Sequence, residues 1–339
     1  MAKVSYNDSI DIRNIEKCEK VLKELPLFVS IYFDAKKEKM SSKTLLGYIY
    51  DFSKFFSWAS SYMFDDKEPY DISIGEFEKI EEYDLNRYIL FLQTNIDSYN
   101  SNITIRRKIS SLSSLFDYLY KNGYVEDNPC RYVEYPDFIV RDTECLSADQ
   151  INVLINKIKN EKEDYSNKQI VYINKTRKRD FAIFYLLLTT GIRVAECVAL
   201  NIESIDFNNK ILHVPREVDI RLPLSDKTIE ILKEYIKYRN EIESEDNALF
   251  LSMQNKRLCI QAVEDMIKKH GECLGLMYPL TPKVFRHTFA MEMFRISASA
   301  DMVNSYLGKK KVEDIRILMN SLTKEQKKSV YDTLNKMYG

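Results

Sequence analysis

A chain of 339 residues is too long for one ordinary core and predicts two domains of roughly 100–200 residues each. Apolar residues make up 45% and charged residues 30%, with only 8 Gly and 8 Pro, which excludes a disordered, collagenous or β-sandwich chain and points to helices. The 50 Lys and Arg against 51 Asp and Glu leave a net charge of −1, so a nucleic-acid partner would have to be met by local patches and not by bulk charge. The longest apolar run, residues 181–188, is far short of the roughly 20 residues that span a bilayer. Charges at Lys3, Asp8, Asp11 and Arg13 stand where a signal peptide would be apolar, so the reading is a cytosolic protein with no membrane partner. Six cysteines without a CxxC pair read as reduced thiols, and three histidines give little material for a metal centre; no metal and no cofactor are expected.

In chain order, the first apolar stripe at helical spacing is Leu45, Tyr48, Phe52, Phe55 and Phe56. The second is Leu85, Tyr88, Ile89 and Leu92, and the third is Ile105, Ile109, Leu112, Leu115, Phe116 and Leu119. They predict three amphipathic helices packed on one another, with Ser42 and Asn102 at the cap positions. Lys121-Asn122-Gly123-Tyr124 reads as a helix stop, and the aperiodic stretch from Asp127-Asn128-Pro129 to Asp142 as the way into a linker. The boundaries are an N-terminal extension at 1–24, a helical domain at 25–136, a linker at 137–145 and a second domain at 146–339.

The second domain opens with Ser147 as an N-cap for a helix carrying Ile151, Leu154, Ile155 and Ile158. A polar insertion at 159–178 precedes an apolar helix at 180–188. Short β-type runs at 205–207, 211–214 and 220–224, separated by Asn208-Asn209 and Arg216-Glu217, predict a small antiparallel sheet. Helices are expected again at 225–239, 260–274, 282–295, 300–307, 312–321 and 324–338. The fold class is therefore mainly α with a small antiparallel β-sheet, an α+β chain of two domains.

Two segments carry chemistry. In Thr189-Thr190-Gly191-Ile192-Arg193-Val194-Ala195-Glu196, an arginine follows a glycine turn between two helices. In Thr281-Pro282-Lys283-Val284-Phe285-Arg286-His287-Thr288-Phe289, three basic side chains fall within about one helical turn. Guanidinium forks and ammonium groups converging from separate elements suit a phosphodiester, whose non-bridging oxygens take bidentate N–H contacts. Apolar flanks hold both segments near a core.

Over residues 25–320 the chain resembles the tyrosine recombinases of the phage-integrase and Xer family. Thr190 to Glu196 resembles the family's TGLRxSE box, Lys283 to Phe289 its HxLRHTF box, and Tyr306-Leu307-Gly308 the LG ahead of its last catalytic stretch. In the first domain, residues 41–58 resemble the core-binding helix, and Ile103-Thr104-Ile105-Arg106-Arg107 through Asn128-Pro129 the second such helix and its exit. The resemblance implies a two-domain clamp on double-stranded DNA, with a tyrosine attacking the scissile phosphate without metal or ATP while two arginines stabilise the phosphorane. Arg193 and Arg286 fall on the arginine positions, and Lys283 replaces the histidine between them. Lys43, Thr44, Arg106, Arg107 and Lys108 fall where the family contacts DNA. Lys175, Arg177, Lys178 and Arg179 form the densest basic run, from which Lys175 and Arg177 are expected to contact DNA, as is His287 in the second box.

Three positions depart from the family pattern. The sheet hairpin that normally carries the catalytic lysine offers only Arg216, which is too basic for a good general acid. The family's LGHS becomes Leu307-Gly308-Lys309-Lys310, leaving Lys309 to support the phosphate. The nucleophile position falls on Leu318, with no tyrosine between Tyr306 and Tyr331. Tyr331 either packs, at helical spacing with Leu334 and Tyr338, or acts as a displaced nucleophile, in its own or a neighbouring protomer. Two functions follow from the resemblance. One is a DNA-binding protein impaired in cleavage that serves a plasmid or mobile element in replication initiation, maintenance or regulation; the other is an active site-specific recombinase using Tyr331. Self-association on DNA through the C-terminal helix goes with either.

Overall fold

The computed structural model describes residues 6–94, 100–137, 145–160, 167–215, 220–244 and 246–295, with the backbone path alone at 7, 160, 167–175, 294 and 295. The chain divides into two compact units, Met1–Arg141 and Asp142–Gly339. Among the described residues it is mainly helical with one three-stranded antiparallel sheet, as its hydrophobic periodicity predicts. No described helix is long and apolar enough to cross a membrane.

The first unit holds α1 (Tyr6–Leu22), α2 (Leu27–Lys36), α3 (Ser42–Met63), the single turn α4 (Ile74–Phe77), α5 (Glu82–Thr94) and α6 (Asn102–Lys121). The three expected stripes lie on α3, α5 and α6 and meet in an aromatic core, where Phe77 stacks on Phe116 at 4.2 Å and Phe55 meets Tyr88 edge-on at 5.1 Å. The caps sit one residue earlier than expected. Ser41 and Ser101 have extended backbones and accept from the amides of Thr44 and Thr104, while Ser42 and Asn102 are already helical. Ser42 is used otherwise: its hydroxyl donates to Asp11 and accepts from Asn14 at 2.9 Å. Within the segment expected as an extension, α1 thus packs on α3, with Cys18 inside the core.

The exit from α6 packs back onto the first unit. Gly123 takes φ +71°, a left-handed turn that favours glycine. Buried Asn128 then donates to Asp117 and to the carbonyl and hydroxyl of Ser113, and Cys130 and Val133 enter the core.

The second unit holds α7 (Ala148–Asn160), α8 (Asn167–Thr190), α9 (Val194–Ala199), β1 (Ile205–Asp206), β2 (Ile211–Val214), β3 (Ile220–Pro223), α10 (Asp226–Arg239), α11 (Ile260–Gly271) and α12 (Pro282–Arg295). Ser147 caps α7, its hydroxyl accepting from the amide of Gln150 while the Gln150 side chain accepts from the Ser147 amide. The sheet runs in order β1-β2-β3, pairing Ile205 with Leu212 and Leu212 with Leu222. Helix α8 is the hub, packed by α7, α10 and α12. It begins at Asn167 and not at 180, so most of the expected polar insertion is helical. Polar residues just beyond it turn inward: buried Arg179 donates to Asp180 at 2.8 Å and to the carbonyl of Leu251 at 2.8 Å. The helices expected at 300–307, 312–321 and 324–338 lie outside the described residues.

Candidate functional site

Helix α8 ends because Gly191 adopts φ +59°, a conformation that costs an L side chain about 1–2 kcal/mol. Its amide donates to the carbonyl of Leu187 at 3.0 Å, closing the helix. Ile192 drops into the core, and the chain re-enters a helix with Arg193 as the residue before α9. Glu196, one turn on, accepts from the Arg193 backbone amide at 2.7 Å and from its Nη1 at 2.9 Å. The same carboxylate thus starts the helix and aims the arginine. Arg193 remains 45% exposed, and among the described residues its Nε and Nη2 have no acceptor.

The second segment is the start of α12. Val284, Phe285, Thr288 and Phe289 face the core, with Phe285 edge-on to Phe184 of α8 at 4.6 Å. The Thr288 hydroxyl donates to the carbonyl of Val284 and accepts from the amide of Leu146, tying α12 to the opening of the unit. Inward residues at this spacing leave Lys283, Arg286 and His287 on the outer face, Lys283 exposed and the other two half-buried. Arg286 Nη1 donates to the carbonyl of Gly191 at 2.8 Å. Segments 95 residues apart are therefore joined by one hydrogen bond at the turn that presents Arg193.

Cys197, whose amide donates to the Arg193 carbonyl at 2.9 Å, is fully buried. Burial, with the neighbouring Glu196 charge, pushes its thiol well above the usual range, so it is no nucleophile. The structure does not describe Arg216, Lys309 or Tyr331, nor the side chain of Lys175; these expectations lie outside the described residues.

In the first unit Lys43 and Thr44 are exposed at the first turn of α3. Arg106 lies over the Tyr135 ring at 4.9 Å and donates to the carbonyl of Pro136. Arg107 and Lys108 converge on Asp51, which is only 2% exposed. Arg107 forms a fork, with Nη2 at 2.8 Å from Oδ1 and Nη1 on Oδ2, and Lys108 Nζ lies 3.1 Å from Oδ1. In α8, Arg177 is half-buried and Lys178 pairs with Glu234 at 3.4 Å, whereas Arg179 is buried and committed to Asp180. Sequence reading assigned no part to Glu196 as the holder of Arg193, or to the Gly191 carbonyl as the holder of Arg286. The first was readable as an Arg-x-x-Glu cap; the second is a backbone atom with no signature.

Comparison with known proteins follows the same segments. Residues 144–325 match the phage integrase family. Over 356 residues the chain is 27% identical to the tyrosine recombinase XerS of Lactococcus lactis subsp. cremoris strain MG1363, covering 95% of this chain and 98% of that protein. It is 26% identical over 353 residues to XerS of Streptococcus pneumoniae strain CGSP14, covering 94% and 98%. Among solved structures, the Tn1549 transposon integrase in complex with circular intermediate DNA superposes with a TM-score of 0.59 at 16% identity, covering 86% of this chain and 98% of that one. The XerH site-specific recombinase bound to its difH substrate gives 0.59 at 17% identity, covering 94% and 88%. At these identities the structural likeness is one of fold.

Proposed function

Because the chain belongs to the phage integrase family, the tyrosine recombinases, we propose that it is a sequence-specific double-stranded DNA-binding protein, impaired in strand cleavage, that grips a backbone phosphate with Arg193 and Arg286. The observation that carries this reading is the 2.8 Å bond from Arg286 to the Gly191 carbonyl, which ties the two arginine segments together. A phosphodiester oxygen can reach Arg193, which is 45% exposed and whose side chain has Glu196 as its only partner among the described residues. Lys283 and His287, beside Arg286 on α12, add donors for the same strand, and Lys309 and Arg216 are assigned to phosphate support. Lys43, Thr44, Arg106, Lys175 and Arg177 supply further backbone contacts. Arg107 and Lys108, already paired with Asp51, contribute less.

Impaired cleavage is read from the sequence. Leucine at 318 has no nucleophilic atom, and an arginine at 216 holds its proton too tightly to protonate a leaving 5′-hydroxyl. The biological setting that suits a grip without cleavage is maintenance, regulation or replication initiation of a plasmid or mobile element. The second reading, an active recombinase, needs Tyr331 delivered from the C-terminal segment, in the same or a neighbouring protomer.

The test begins with a duplex retrieved by selection from a random-sequence pool. Binding to it should weaken steeply with salt, on the order of one unit of log–log slope per phosphate neutralised. Absence of affinity at low salt would remove the reading. A nicked suicide version of the same duplex should then give no denaturation-resistant protein–DNA adduct. An adduct lost in Tyr331→Phe would establish the active recombinase instead.

A further inference from the structure

Arg193 stands at one end of α9, a helix of only six residues, and its position depends on what holds the other end. A helix this short is roughly 9 Å long at about 1.5 Å per residue, and its last carbonyls have no partners within it. Those carbonyls are met by a side chain from a distant segment. Arg257 Nη1 donates to the carbonyls of Val198 and Leu200, each at 3.0 Å. Its Nη2 donates to Asn201 Oδ1 at 2.7 Å and to Asp246 Oδ1 at 3.0 Å. The Arg257 backbone is fixed as well, its amide donating to Asp246 Oδ2 at 3.3 Å and its residue bridging Leu251.

One largely buried guanidinium thus closes the C-terminal end of α9, where the helix dipole favours a cation. Glu196 and the Gly191 turn fix the N-terminal end. Between them there is no free length in which Arg193 can shift without breaking one of these bonds. We propose that Arg257 is a positioning residue for Arg193, holding the phosphate-gripping arginine through α9 without touching DNA itself. The inference rests on the phosphate-grip reading above and deepens it. A lysine cannot replace the fork, since a single ammonium does not span the four acceptors that the two Nη atoms share.

The experiment is a binding cycle on the selected duplex with Arg257→Met, Arg193→Ala and the double variant, each checked for native circular dichroism. Arg257→Met should weaken binding on the order of tenfold, the scale of a lost charge-assisted hydrogen bond. The double variant should bind no more weakly than Arg193→Ala alone, because the position of an absent arginine no longer matters. Arg257→Lys should retain part of the affinity. If Arg257→Met does not fold, Asn201→Ala removes a single anchor and should show a smaller loss that vanishes in the Arg193→Ala background. Losses that add in the double variant, or wild-type binding by Arg257→Met and Asn201→Ala, overturn the positioning role while leaving the grip intact. Wild-type binding by Arg193→Ala removes the grip and the positioning role together.

Discussion

Arg107 in α6 and Arg286 in α12 both lie in the first half of a helix whose inner face is core, yet they are held by different chemistry. Arg107 makes a fork on Asp51, a carboxylate 2% exposed that Lys108 also reaches. Arg286 donates to a backbone carbonyl. A carboxylate at this distance offsets much of a guanidinium's field, as Glu196 also does for Arg193, whereas a carbonyl orients a guanidinium without itself neutralising it. The first unit therefore ties its most clustered basic residues to its own core, and the second places two arginines at one turn, Arg193 on Glu196 and Arg286 on a backbone carbonyl. The difference teaches that basic runs of similar appearance divide by partner, a buried carboxylate for Arg107 and a backbone carbonyl for Arg286.

The comparison can be broken first at Asp51. Asp51→Ala leaves Lys108, only 13% exposed, without its counter-charge, and breaking a buried pair from one side costs about 3–5 kcal/mol. Urea unfolding of the full chain should show that loss in the transition of the first unit. An unchanged midpoint would mean that Arg107 and Lys108 are not committed to the core. A smaller effect, in a different observable, is expected from Arg193→Ala and Arg286→Ala. Each should weaken binding to the selected duplex by about 1–3 kcal/mol, with little change in unfolding. If these variants lose stability and keep their affinity, the contrast between the units is reversed.

The smallest effect concerns an exposed pair of the first unit. Glu76 accepts from the Ser73 hydroxyl and amide and from Lys67, and these bonds hold its carboxyl down at about 2 against an ordinary 4.5. A folded-state value below the unfolded one stabilises the fold above the unfolded value, and that contribution fades as pH falls from about 4.5 towards 2. An NMR titration of the Glu76 carboxyl should place its midpoint near 2; a midpoint near 4.5 would leave the α4 corner unsupported by charge.

Much of this arrangement was readable in advance where apolar periodicity carries it: the stripes of α3, α5 and α6, the three short strands, and the two arginine segments. What could not be read is instructive. Ser41 and Ser42 are equally good cap residues, and the choice between them was made by α1, whose Asp11 and Asn14 claim Ser42. Helix α1 itself is largely polar, so its few core residues, Cys18 foremost, leave too faint a pattern to mark it as part of the unit. The middle of α8 breaks the apolar pattern because Thr176, Arg179 and Asp180 are all buried there, the last two bonded to each other. Arg257 belongs to no motif, since its acceptors are mostly backbone oxygens brought close only by the fold.

The Gly191 carbonyl has a consequence for how such a chain drifts over generations. A carbonyl is present whatever side chain its residue bears, so substitutions at Ile192 or Val194 do not remove the acceptor that Arg286 uses. Only position 191 is vulnerable, because any side chain there is strained at φ +59° and would tend to swing the carbonyl away. A lineage that loses a nucleophile elsewhere can therefore accumulate changes around this turn for a long time with the arginine seat still assembled. Its point of failure is one hydrogen atom wide: a Gly191→Ala replacement would put about 1–2 kcal/mol of strain on the turn that directs the acceptor of Arg286 and presents Arg193, and so loosen both arginines in a single step.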